Sequence, residues 1–170
     1  MSVSILIIAR ASETLGTLVE PVRGMWGAAL LSMGGGAIAF SDDGMHCILM
    51  QSVQPVVEIP EEAYSTYTRN LGDEVRVFSL GAKDVELTRR ILLRIADRRD
   101  VLVDLLRGRL LVGGDLVRVL RDWPEWDWRA NDGSDPPELT RCVLARVVGN
   151  IELESLPAQS SVAPEVVQRP

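Results

Sequence analysis

Two stretches of the chain carry the pattern of a tight strand-turn-strand connection, and they limit the fold more than any other feature. Ala37 to Phe40 and Met45 to Met50 are apolar segments on either side of Ser41-Asp42-Asp43-Gly44, a turn-forming tetrapeptide with glycine at its end. Val101 to Leu106 and Arg109 to Val112 repeat the arrangement around Arg107-Gly108. Each reads as a β-hairpin, and Leu30 to Met33 adds a strand before the first of them. Residues 3 to 9, polar only at Ser4, form an apolar run rich in β-branched side chains, the pattern of a strand buried on both faces. Val75, Val77 and Ser79 alternate with Arg76, Phe78 and Leu80 as a further strand.

Helical signals lie between these strands. Ser12 followed by Glu13 predicts a capped short helix ending near Pro21, and Ile59-Pro60-Glu61-Glu62 opens another that runs to Leu71 with Gly72 as its C-cap. The clearest helix runs from Asp84 to Arg98. Val85, Leu87, Ile91, Leu92 and Ile95 recur near helical spacing, and Arg89, Arg90, Arg94 and Arg98 fill much of the other face. Asp115 caps a helix carrying Leu116, Val117, Val119 and Leu120, ended by Pro124, while Leu139 to Val148 fits a helix or a strand. Together these predict an α+β fold: a mixed, mainly antiparallel sheet of five or six strands with two or three helices packed on one face. Leu87, Ile91 and Ile95 should be buried.

A chain of 170 residues, 46% apolar and 25% charged, has the size and balance of one globular domain, assigned to residues 1–154. From Ser155 the composition turns to Pro, Ser, Gln and Ala, so residues 155–170 are expected to be a disordered tail. The formal charge of −6 repels nucleic acid and favours a basic partner. Cys47 and Cys142 have no CxxC spacing and are too few for a disulfide framework, which fits a reducing cytoplasm. Met1 to Ala9 lacks the basic region of a secretory signal. Gly24 to Ser41 is uncharged over 18 residues, the minimum for a membrane span, but its five glycines and the flanking Arg23 and Asp42 favour buried strands.

No catalytic, metal or cofactor constellation emerges from the motifs. Gly34-Gly35-Gly36-Ala37-Ile38-Ala39 fits G-x-G-x-x-A, but a turn follows instead of the helix that a dinucleotide site requires. His46 is the only histidine, and with Asp42 or Asp43 it marks the 37–50 hairpin as an alternative enzyme or small-ligand site. His46 and Cys47, adjacent on a strand, face opposite sides and do not make a nucleophile and base. Asp132, Asp135 and Glu138 lack calcium-loop spacing. The arginine row, extended by Arg99 and interleaved with Glu86, Asp97 and Asp100, reads as a solvated helix face with local ion pairs.

Asp122-Trp123-Pro124-Glu125-Trp126-Asp127-Trp128 holds three of the chain's four tryptophans among three acids. The rings either close one end of the core as a lid or present a binding surface, with one ring in and another out as a combination of the two. As a surface, Trp123, Trp126, Trp128, Asp122, Glu125 and Asp127 would be its contact residues, joined by Glu58, Glu61 and Glu62.

Residues 101 to 128, with two strands about Arg107-Gly108, then Gly113-Gly114-Asp115, a short amphipathic helix and the three tryptophans, resemble the end of small bacterial immunity proteins, the antidotes encoded beside polymorphic or contact-dependent toxins. The resemblance spans about a sixth of the chain. It implies a cytoplasmic protein-binding inhibitor, not an enzyme, whose partner is a toxin, often a basic nuclease domain, with no nucleic acid, membrane or cofactor bound by the inhibitor itself. A structural or assembly subunit whose tail docks on a neighbour is a further alternative.

Overall fold

The structure, a computed structural model, describes residues 4–23, 31–32, 36–42, 45–51, 61–72, 74–81, 84–98, 100–105, 109–130 and 134–144. Its strands are β1 (Ser4–Arg10), β2 (Leu31–Ser32), β3 (Ala37–Asp42), β4 (Met45–Gln51), β5 (Val75–Gly81), β6 (Val101–Asp104) and β7 (Leu110–Val112). They form one sheet in the order β2-β3-β4-β5-β1-β6-β7, with every neighbouring pair antiparallel. Its helices are α1 (Leu15–Val19), continued by a 3-10 turn over Glu20–Val22, α2 (Glu61–Leu71), α3 (Val85–Ile95), α4 (Gly113–Asp122) and α5 (Pro137–Cys142).

The α+β class expected from the sequence is what the structure shows, and the sheet, expected to be mixed and mainly antiparallel, is antiparallel at every pair among the described residues. Both hairpins form. In the first, Phe40 pairs Cys47 and Asp42 pairs Met45, so the strands take in Ser41 and Asp42 of the expected turn, while Asp43-Gly44 lie outside the described residues. The strand count reaches seven through the two-residue β2, whose register sets Leu31 against Ala39. The 155–170 tail lies outside the described residues.

One expectation needs correction: the helices do not all share a face. Ile5, Ile7 and Ala9 of β1, with Phe78 and Leu80 of β5, meet α1, α3, α4 and α5 in the larger core. Ile8, Val75, Val77, Leu102 and Leu110 point the other way and are covered by α2 through Ala63, Tyr67 and Leu71, one helical face at i, i+4 and i+8. An apolar run such as that of β1 is buried on both sides only if something packs on both. Tyr67 Oη donates to Asp104 Oδ2 at 2.8 Å beneath α2, and burial, together with the carboxylate, pushes the phenol above its ordinary value. Gly72 ends α2 at φ 74°, the left-handed conformation expected of its C-cap.

Helix α3 buries Leu87, Ile91 and Ile95 completely, as its period requires, and Asp84 caps it by accepting from the Leu87 amide at 2.9 Å. Two other caps shift from expectation. Thr14 rather than Ser12 caps α1, in a reciprocal box with Thr17. Helix α4 begins at Gly113, so Asp115 sits in its first turn instead of capping it. The early start is possible because α4 sets out directly from β7 against the end of α3, where a Cβ on Gly113 would lie 2.2 Å from the Ala96 carbonyl oxygen. Gly113→Ala is therefore expected to destabilise the fold by about 3 kcal/mol through overpacking against backbone. Gly114→Ala, with nothing within 4 Å of the added carbon, is expected to be neutral or to stabilise by up to about 1 kcal/mol. Urea midpoints of the two variants check the contrast.

The connections at this end are tied by charge. Arg98 donates to Glu13 at 2.9 Å and to Asp100 at 2.7 Å, and Arg76 donates to the Glu13 carbonyl at 2.5 Å. Burial raises Glu13, but the bonds from Arg98 and Thr17 outweigh it, and Arg98 likewise holds Asp100 below the usual carboxylate range. Carboxylates depressed in the folded state stabilise it above their unfolded pKa, near about pH 4, and lose that contribution as pH falls through the folded values. The melting temperature is expected to fall below about pH 4, with a shallower fall in Arg98→Met, read by thermal denaturation across pH.

Candidate functional site

The tryptophan-rich segment follows directly from α4. Pro124 has no amide hydrogen to continue the helix and disfavours helical backbone at the residue before it, so Trp123 leaves the helix at φ −126°, ψ 71°. Its amide donates back to the Val119 carbonyl at 2.9 Å, and the Trp126 amide donates to the Trp123 carbonyl at 3.1 Å, closing a turn. The turn swings the later rings inward. Trp128 is 1% and Trp126 5% exposed, packed edge to face with centroids 6.4 Å apart in the larger core. Trp123 is 41% exposed.

Two arginines hold this loop. The Arg89 guanidinium reaches in from α3 and donates to the carbonyls of Leu120 and Trp123, both at 3.3 Å, and of Trp126. These carbonyls lie at or just beyond the end of α4, where helical partners run out, so one planar cation satisfies three acceptors. It also lies 5.4 Å from the Trp128 ring centroid. Arg109, on the strand side, sits 6.0 Å from the Trp126 centroid, donates to the Trp128 carbonyl at 2.8 Å and pairs with Asp135. Burial lowers the Arg89 pKa, and the charges of Glu86, Asp127 and Glu125 work against that shift. Trp126 Nε1, Trp128 Nε1 and Arg109 Nε are buried without an acceptor among the described residues, so the two rings serve the core as apolar bulk.

The six residues singled out in the sequence therefore separate. Trp126 and Trp128 form the lid, a position that removes them from any surface. Asp122 at the end of α4 and Trp123 and Glu125 on the turn are exposed, and the Trp123 indole N–H donates to Glu138 Oε2 on α5 at 3.0 Å. Asp127 is half-buried and engaged by Arg129 at 2.8 Å, which, with burial opposing, holds it below the usual carboxylate range. Glu61 and Glu62 are exposed at the start of α2, and Glu58 lies outside the described residues.

The arginine row on α3 also needs correction. Arg89 is 6% exposed, not on the outer face, because the α4 carbonyls and the Trp128 ring draw it inward. Arg98 is taken up by Glu13 and Asp100, and Arg99 lies outside the described residues. His46 is exposed on the outer face of β4 beside Ile48 and Met50, while Cys47 points into the core and donates to the Gly81 carbonyl at 2.8 Å. Burial pushes the Cys47 thiol up to about 11, which disfavours the nucleophilic thiolate. Asp42 is described in its backbone alone and Asp43 not at all. An open cavity of about 430 Å³ is lined by Pro21, Leu93, Arg94, Asp97 and Arg121, well away in sequence from His46. Among the described residues no group of three or more His, Cys, Asp or Glu could hold a metal, and no helix is long and apolar enough to cross a membrane.

Sequence reasoning missed the two clamping arginines. Arg89 carried a faint signal, since it falls among Leu87, Thr88, Ile91 and Leu92 on the buried side of α3. Nothing in the local pattern marks Arg109. Comparison of the chain with protein-family models, curated proteins and solved structures finds no match.

Proposed function

We propose that this chain is a protein-binding inhibitor of the bacterial immunity type, acting in the cytoplasm by direct contact with a basic toxin domain. The observation that carries the proposal is Trp123. A large ring is left 41% exposed on a turn whose backbone is fixed by Arg89 and whose indole edge is fixed by Glu138, while its two neighbours are spent on the core. Rigid aromatic anchors of this kind, preorganised and ringed by polar groups, supply much of the energy of protein interfaces. Asp122 and Glu125 beside it, and the charge of −6 on the whole chain, would steer a basic partner to that surface.

The partner to test is the product of the neighbouring gene, because an antidote of this type is encoded with its toxin. Trp123→Ala is expected to weaken that complex by about 2 kcal/mol or more while leaving the melting temperature nearly unchanged. Calorimetric titration of both proteins reads the affinity. A neighbouring product that neither resembles a toxin nor binds would remove the inhibitor role.

A further inference from the structure

An indole offers a partner two things, an N–H at its edge and an electron-rich face. In Trp123 the first is already used: Nε1 donates to Glu138 Oε2 at 3.0 Å. What remains is the face. The same loop shows what such a face takes, because each of the other two rings has an arginine beside it. Arg89 lies 5.4 Å from the Trp128 centroid and Arg109 6.0 Å from that of Trp126, and both guanidiniums also donate to oxygens of the loop. Trp123 is the third ring and, among the described residues, has no cation over it. The oxygens that would complete the arrangement are present. Asp122, the last residue of α4, and Glu125, on the turn, are both exposed, and neither is in an ion pair among the described residues.

Resting on the docking role proposed for Trp123, we infer that the group this surface receives is a guanidinium: an arginine of the protein partner, laid on the Trp123 ring and hydrogen-bonded to the flanking carboxylates. Arginine is favoured over lysine because its planar cation stacks on a ring and still presents a fork of donors to carboxylates, whereas an ammonium is compact and more strongly hydrated. An apolar anchor on the partner would leave Asp122 and Glu125 desolvated without compensation.

The test uses three acetylated, amidated tetrapeptides, of arginine, of lysine and of the neutral isostere citrulline, titrated into the ¹⁵N-labelled full chain. The indole resonance of Trp123, assigned by its loss in Trp123→Phe, is followed together with the Asp122 and Glu125 amides. The arginine peptide is expected to give a saturable shift, the lysine peptide one weaker by about fivefold, and citrulline none. In Trp123→Ala the Asp122 and Glu125 shifts should shrink by about fivefold or more. Equal binding of the arginine and lysine peptides, no saturable shift with arginine, or undiminished shifts in Trp123→Ala would each overturn the inference. The docking role is separable: if the peptides fail while the natural partner still loses affinity in Trp123→Ala, the guanidinium is wrong and the docking role stands. If the arginine peptide binds as expected but the partner is indifferent to Trp123→Ala, the docking role falls and the ring's preference stands.

Discussion

Trp128→Ala is expected to destabilise the protein by about 3 to 5 kcal/mol, the cost of emptying a fully packed aromatic site. Trp128 is 1% exposed and heads the largest fully buried side chains of the described residues. Its surroundings are poorly able to collapse into the space left behind, because Trp126 packs edge to face against it and Arg89 is fixed beside it by three carbonyls. Deleting the ring would also leave the Arg89 cation facing a void. Trp128→Phe, which keeps an aromatic face, should cost roughly half as much. Denaturant midpoints of the two variants measure the difference.

A loss of similar size is expected for Arg89→Met, which retains the length and apolar stem of the side chain and removes its donors. The carbonyls of Leu120, Trp123 and Trp126 would then have to find water or remain unpaired, at about 1 to 3 kcal/mol for each that stays buried. Compensation from removing a desolvated charge reduces this, so a net loss of about 3 kcal/mol is expected. Arg89→Lys should recover little, since a single ammonium does not reproduce a planar fork bonded to three oxygens. Faster hydrogen exchange at the Trp126 amide, which closes the turn onto Trp123, would localise the damage to the loop and separate it from a general loss of stability.

The sheet was legible because its signals are local. Asp-Gly between apolar segments specifies a hairpin whatever the rest of the chain does, and the period of α3 shows in Leu87, Ile91 and Ile95 without reference to a partner. The second layer was harder to read. Nothing within Glu61–Leu71 says which face of the sheet it covers, although the apolar run of β1 already required cover on both. The helix starts slipped for a related reason. Thr14 lies two residues beyond the equally suitable Ser12, and α4 starts at a glycine chosen by contact with the Ala96 carbonyl, a long-range constraint.

The tryptophan segment was legible as unusual but not in its division. Which ring turns inward depends on Pro124, on Arg89 arriving from α3 and on Arg109 arriving from the strand side, and only the first of these lies in the segment. Composition marked Arg89 as one of a row of surface charges. Geometry makes it the residue that keeps the turn closed and Trp123 outside.

The central claim is that one loop carries two separate roles, a lid made by Trp126 and Trp128 and a docking ring made by Trp123. Its most direct test measures thermal stability and affinity for the neighbouring gene product on the same three alanine variants. Trp126→Ala and Trp128→Ala are expected to lose stability by about 3 kcal/mol or more, and Trp123→Ala to keep its melting temperature while losing about 2 kcal/mol of binding. Loss of stability in all three with no separate effect on binding, or unchanged binding in a stable Trp123→Ala, would contradict it.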